Sequence, residues 1–215
     1  VDRCHQRFRV RLARECELAA TSWPRKMGEM LKWLTAMAVA FGLWGLTMAP
    51  SEARQDDPRL DALFDRLHTV DDGNEARLVM NMIWRLWSES GSHTVDLLFT
   101  RGVQAMNQKE FDTALAMLNS VVEIDPIFSE GWNARATLHY IMGNYENSIR
   151  DIDRTLALEP RHWGALSGLG MIYQDTKREE EAIEAYRRAL AANPHLPGAK
   201  NAIDYLTQKV RGRVL

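Results

Sequence analysis

Residues 163–196 read WGALSGLGMIYQDTKREEEAIEAYRRALAANPHL, and the Asn193-Pro194 pair near their end has two counterparts upstream. Pro126, Pro160 and Pro194 lie 34 residues apart, each behind an apolar residue and an acid or amide: Ile124-Asp125-Pro126, Leu158-Glu159-Pro160, Ala192-Asn193-Pro194. Setting each proline at position 32 divides this part of the chain into repeats at 95–128, 129–162 and 163–196. Position 8 is then Gly102, Ala136 and Gly170, and position 20 is Ala114, Ser148 and Ala182. Small side chains at these two places let antiparallel helices approach closely. Position 4 (Leu98, Trp132, Leu166) and position 24 (Leu118, Ile152, Tyr186) supply large residues to fill the space between.

The repeats extend on both sides as helical pattern. Leu60, Leu63, Phe64 and Leu67 form one apolar stripe, and Ala76, Met80, Ile83, Trp84 and Trp87 another. Asp71-Asp72-Gly73-Asn74 separates the two stripes, and Ser90-Gly91 ends the pair. Residues 60–94 fit the same frame poorly, because His68 and Met80 are too bulky for the small positions and Ser92 replaces the proline. They are expected to form a degenerate helical hairpin capping the array. After Pro197, Ala199, Ile203 and Leu206 share one face of a further helix, so 197–215 is expected to be a capping helix and tail. No alternating strand pattern appears downstream of Leu60, and the fold class is all-α.

The in-phase prolines and small residues resemble the tetratricopeptide repeat, a 34-residue helix–turn–helix unit that stacks into an α-solenoid. The third repeat adds Leu169-Gly170 and Tyr173 in the family's Leu-Gly-x-x-Tyr arrangement. The resemblance implies a protein-binding scaffold rather than an enzyme. One branch of the family clamps acidic carboxyl-terminal chaperone tails with Lys, Asn, Asn, Lys and Arg. The corresponding residues here are Phe99, Val103, Ala134, Gly164 and Gly168, so that property does not carry over. Two residues depart from the usual apolar position 7, Arg101 and Arg135. They are expected to be paired by Asp151, Asp153, Glu123 or Asp125 rather than to grip an acidic ligand.

Ahead of the helices the composition changes. Residues 1–26 hold seven basic and three acidic side chains and both cysteines, Cys4 and Cys16. Either 1–29 is a basic arm or translation starts at Met27 or Met30; the organisation that follows favours the later start. Lys32 precedes an uncharged, mostly apolar run over 34–49, then Pro50 and Ser51-Glu52-Ala53. That is the layout of a signal peptide over 30–53, cut after Ala53, or of an uncleaved anchor. Residues 54–59 are a polar linker. The expected location is therefore exported and periplasmic, with membrane contact only if 31–49 stays as an inner-membrane anchor. The resemblance extends to exported repeat proteins of Gram-negative bacteria.

Chemistry is sparse. Residues 54–215 carry 19 basic against 24 acidic residues, which argues against nucleic acid as a partner. Six scattered histidines show no His-x-x-x-His spacing, and neither a phosphate-cradling loop nor a nucleophile elbow occurs, so no cofactor, metal or catalytic residue is expected. His139 reads as a core filler, Glu179-Glu180-Glu181 as a solvated face, and Asp151 and Asp153 as pointing to different sides of a helix. At about 100° per residue, positions 2, 5, 9 and 12 fall opposite the packed side of each first helix. They are Asp96, Phe99, Val103 and Met106; Glu130, Asn133, Thr137 and Tyr140; and Gly164, Ser167, Met171 and Gln174. This groove suits an extended or helical peptide of an envelope protein, with Asp96 and Glu130 as rim acids that could meet a basic residue. Phe99 and Met106 either anchor such a ligand or pack against the amino-terminal hairpin. The rival reading is an accessory subunit of an envelope enzyme or assembly machine, anchored by 31–49.

Overall fold

The acid or amide before each proline closes the turn between repeats. Glu159 Oε1 accepts from the Arg161 N–H at 2.9 Å, and Asn193 Oδ1 accepts from the His195 N–H at 2.9 Å. Asp125 accepts from the backbone of Ile127 and Phe128 in the same way. All three side chains are buried, so Ile124-Asp125-Pro126 and its two counterparts are turn chemistry: a proline that stops one helix behind an acceptor that aims the next.

These features come from a computed structural model that describes residues 57–213. Among them are nine helices and no strand: α1 (Arg59–Thr69), α2 (Gly73–Trp87), α3 (His93–Asn107), α4 (Phe111–Ile124), α5 (Ser129–Ile141), α6 (Tyr145–Leu158), α7 (Trp163–Asp175), α8 (Glu179–Ala192) and α9 (Pro197–Arg213). The pairs α3/α4, α5/α6 and α7/α8 are the three repeats. The extension at 1–29 and the signal or anchor at 30–53 lie outside the described residues. Among the described residues no helix is long and apolar enough to cross a membrane.

Inside each repeat the first helix ends on one left-handed residue, and these are Lys109, Gly143 and Lys177, with φ of 62°, 75° and 60°. The next N–H reaches back five residues each time: Glu110 to Ala105, Asn144 to His139 and Arg178 to Tyr173, at 2.9, 2.8 and 2.8 Å. This is the Schellman closure, which turns the chain sharply enough for the second helix to pack antiparallel. The small positions then meet as expected. Ala114, Ser148 and Ala182 are buried, and the Ser148 hydroxyl donates to the Ala136 carbonyl at 2.7 Å.

Arg135 is clasped by Asp151 through two bonds, Nε to Oδ2 at 2.8 Å and Nη2 to Oδ1 at 2.7 Å, while Asp153 is exposed. Arg101 is exposed, and where repeat 2 has Asp151 to hold its arginine, the matching position of repeat 1 is Met117. His139 is buried, and that burial is the main cause of its lowered pKa. The solvated-face reading fails at Glu179, which is buried and bridged by Lys209 of α9 at 3.1 Å; Glu180 and Glu181 are exposed. The α9 cap buries Ala199 and Leu206 against Ala182, Ile183 and Tyr186 of α8.

The largest departure from expectation is the docking of the α1/α2 hairpin. It does not extend the stack ahead of repeat 1. Its apolar faces join Trp163 and Leu166 of α7 and Ala189 and Ala192 of α8 in one core. His68 Nε2 meets the Ala191 carbonyl at 2.9 Å, and His195 Nε2 meets the Leu67 carbonyl at 3.0 Å. Arg161 bonds Asp61 at 2.7 Å and lies 4.2 Å from the Phe64 ring centroid. The physical reason lies in Trp84 and Trp87. Two indoles one turn apart need more room than a position-20 alanine seam offers, and they find it over Gly164 and His162.

Candidate peptide-binding cavity

A β-carbon on Gly164 would sit 3.1 Å from Cη2 of Trp84, so glycine is what admits that indole to the inner face of the repeats. Trp87 stacks on the His162 ring with centroids 4.3 Å apart and planes 14° from parallel. His162 is the N-cap of α7, and its Nδ1 accepts the Ala165 N–H at 3.0 Å. An accepting Nδ1 leaves the ring proton on Nε2, which donates to Glu130 Oε2 at 2.8 Å. Asn133 Nδ2 donates to both Glu130 oxygens at 3.2 and 3.3 Å. A chain of contacts thus runs from the hairpin through repeat 3 to the first turn of α5, where a helix amino terminus also favours an acid.

Beside this chain opens a cavity of about 380 Å³, lined by Trp84 of α2 and its C-cap Ser88, Phe99, Val103 and Met106 of α3, Glu130, Asn133, Ala134 and Thr137 of α5, and Gly164 of α7. Its volume is at the small end of the range of about 300–1,000 Å³ common for ligand sites. The walls are aromatic, aliphatic and thioether, and the polar groups gather on the α5 side.

Of the residues named for the groove, Phe99, Val103, Met106, Glu130, Asn133, Thr137 and Gly164 come together here. The others do not. Asp96 is no rim acid: its Oδ1 accepts from the Ser90 N–H and hydroxyl at 2.8 and 2.7 Å, tying the hairpin to α3. Glu130 is not at the rim either, being 4% exposed beneath the hairpin. The Tyr140 hydroxyl donates to Asp175 Oδ2 at 2.8 Å, a bond that, with burial, pushes its pKa up to about 12. Ser167, Met171 and Gln174 lie outside the cavity, because the hairpin covers only the start of α7. Phe99 and Met106 pack against the core that α3, α4 and α5 share rather than into the hairpin core, and both line the cavity beside Trp84 and Ser88. Trp84, Ser88 and Ala134 were missed. The signal for Trp84 was Gly164, the smallest residue where the other repeats have acids.

Comparison with known proteins follows the same lines. Residues 133–197 match the tetratricopeptide repeat family. A TPR repeat-containing protein of Rhizobium etli is 36% identical over 154 residues, covering 72% of this chain and 76% of that one. The chain belongs to the tetratricopeptide repeat proteins. Anaphase-promoting complex subunit 3 of Schizosaccharomyces pombe is 31% identical over 88 residues, which are 41% of this chain and 13% of that relative. Among solved structures, the first TPR of Spaghetti (RPAP3) bound to the HSP90 peptide SRMEEVD superposes with a TM-score of 0.54 at 22% identity, covering 56% of this chain and 95% of that one. The Sgt2 TPR domain from Aspergillus fumigatus gives 0.53 at 24% identity, over 56% and 81% of the respective chains. Both likenesses concern the fold.

Proposed function

We propose that this tetratricopeptide repeat protein is an exported, non-catalytic scaffold that holds a peptide segment of an envelope protein in the cavity between its first hairpin and the first helices of its three repeats. The observation that carries this reading is the cavity of about 380 Å³ itself, built from positions 2, 5, 9 and 12 of successive first helices and roofed by Trp84. A solved relative in fold, the RPAP3 repeat domain, is bound to a peptide. Export is supported by Lys32, the apolar run over 34–49 and Ser51-Glu52-Ala53.

The test uses the full chain as bait for short random peptides displayed on phage. Met106→Trp fills the cavity with a ring that its free volume accommodates. Enriched peptides are expected to lose about 2 kcal/mol of binding, roughly thirtyfold, against this variant with helicity unchanged. Undiminished binding would place the site elsewhere. For export, amino-terminal sequencing of protein from the extracytoplasmic fraction is expected to begin at Arg54. A chain that keeps 34–49 in the membrane would instead support the anchored accessory subunit.

A further inference from the structure

The polar groups of the cavity are unevenly used. The Ser88 hydroxyl donates to the Trp84 carbonyl at 2.8 Å and the Thr137 hydroxyl to the Asn133 carbonyl at 3.0 Å. The Asn133 amide donates to Glu130. The two hydroxyl protons are therefore committed inside the protein, which leaves those oxygens able to accept, and the Asn133 amide is held on Glu130. Glu130 adds Oε1, whose one hydrogen bond is the long 3.3 Å contact from Asn133.

Charge points the same way. Glu130 is buried, and both of its partners are neutral: Asn133 by nature, and His162 because its Nδ1 accepts the Ala165 N–H. None of the residues lining the cavity is basic, and nearby Arg161 is committed to Asp61 and Glu159. Buried carboxylates are ordinarily paired with a cation, and among the described residues this one meets only the Asn133 amide and the His162 ring, whose Nδ1 is an acceptor.

We propose, resting on the peptide-binding reading above, that the cavity receives the side chain of a lysine or arginine of the bound segment, with Glu130 as its counter-charge. Such side chains only donate hydrogen bonds, which matches a wall of acceptors. Their aliphatic stems pack along apolar surface while the head stays with polar groups, as Val103, Met106 and Phe99 on one side and Glu130 on the other allow. Trp84 and Phe99, which line the same cavity, are aromatic rings of the kind a cation favours. An acidic peptide would meet Glu130 as a like charge and is disfavoured.

The peptides enriched on the full chain are expected to share one basic residue flanked by apolar ones. Synthetic copies of the best of them, with the amino terminus acetylated, should bind Glu130→Gln at least about tenfold more weakly than the wild type. Replacing the basic residue of the peptide by leucine should cost as much on the wild type and little further on Glu130→Gln. The glutamine keeps an oxygen for the His162 Nε2–H, so folding should be retained, as thermal melting will show. Val103→Lys, which leaves the Glu130 network untouched and places a resident cation on the wall, should weaken the same peptides to a similar degree. It decides the matter if Glu130→Gln does not fold. Peptides that lose binding to Met106→Trp yet carry no basic residue, or ignore both charge variants, would overturn the cation site and leave the scaffold standing. A preference abolished by acetylation would also overturn it, since the cation would then be the terminus. A screen that enriches nothing, or only peptides indifferent to Met106→Trp, would end the scaffold reading and this one together.

Discussion

Trp87→Ala is expected to lower the free energy of unfolding by about 3–5 kcal/mol, a large share of the roughly 5–15 kcal/mol that holds an ordinary domain together. Trp87 is fully buried, stacked on His162 and in contact with Phe64, Trp84 and Trp163, whose ring centroids lie 5.9, 5.9 and 4.5 Å away. Truncation removes that apolar area from the core and leaves a void between helices that cannot close without moving α2 off α7. Trp87→Phe should cost clearly less, since it keeps most of the ring contact and removes an indole N–H that has no acceptor among the described residues. Met82→Ala, on the exposed face of the same helix, should stay within about 0.5 kcal/mol. Urea denaturation of the three variants measures this. Equal midpoints for Trp87→Ala and Met82→Ala would show that the hairpin is not docked on repeat 3.

Gly170→Leu is expected to destabilise by about 2–3 kcal/mol, the upper part of the usual overpacking range after a small gain in helix propensity. A bare β-carbon at Gly170 would already lie 2.7 Å from Cε1 of Tyr186, and that ring is itself buried against α9. The leucine must therefore part α7 from α8 or rotate Tyr186 out of the core. Glu180→Leu, on the exposed side of α8, should change stability by less than about 0.5 kcal/mol. A smaller loss for Gly170→Leu than for Glu180→Leu in the same denaturation experiment would contradict the repeat frame.

The repeats were legible because their signals are local. Proline behind an acceptor, a small residue at each of two helix crossings and an apolar stripe at helical spacing act within one hairpin of about 34 residues. The capping helix after Pro197 was legible for the same reason, whereas for Arg135 the sequence offered four carboxylates and only the structure selects Asp151. The groove was half legible. Helical angle places Glu130 and Asn133 on the inner face of α5, but says nothing of what comes to cover them. The helical angle alone left Glu130 at the rim and counted Tyr140 and Met171 among the groove residues, whereas the hairpin buries the first and leaves the others outside the cavity.

By itself, then, the sequence determined the all-α class, the 34-residue helical repeat in three copies, and which face of each first helix turns inward. The tertiary structure alone decided where the α1/α2 hairpin goes, and with it the shape and charge of the cavity. The reason is range. Periodicity reports which side of a helix avoids water, and both Trp84 and Trp87 satisfy it against any apolar partner. Their choice of Gly164 and His162, some 80 residues away, depends on the space a missing β-carbon leaves and on a ring held flat by its bond to Glu130. Those conditions exist only once the second and third repeats have stacked.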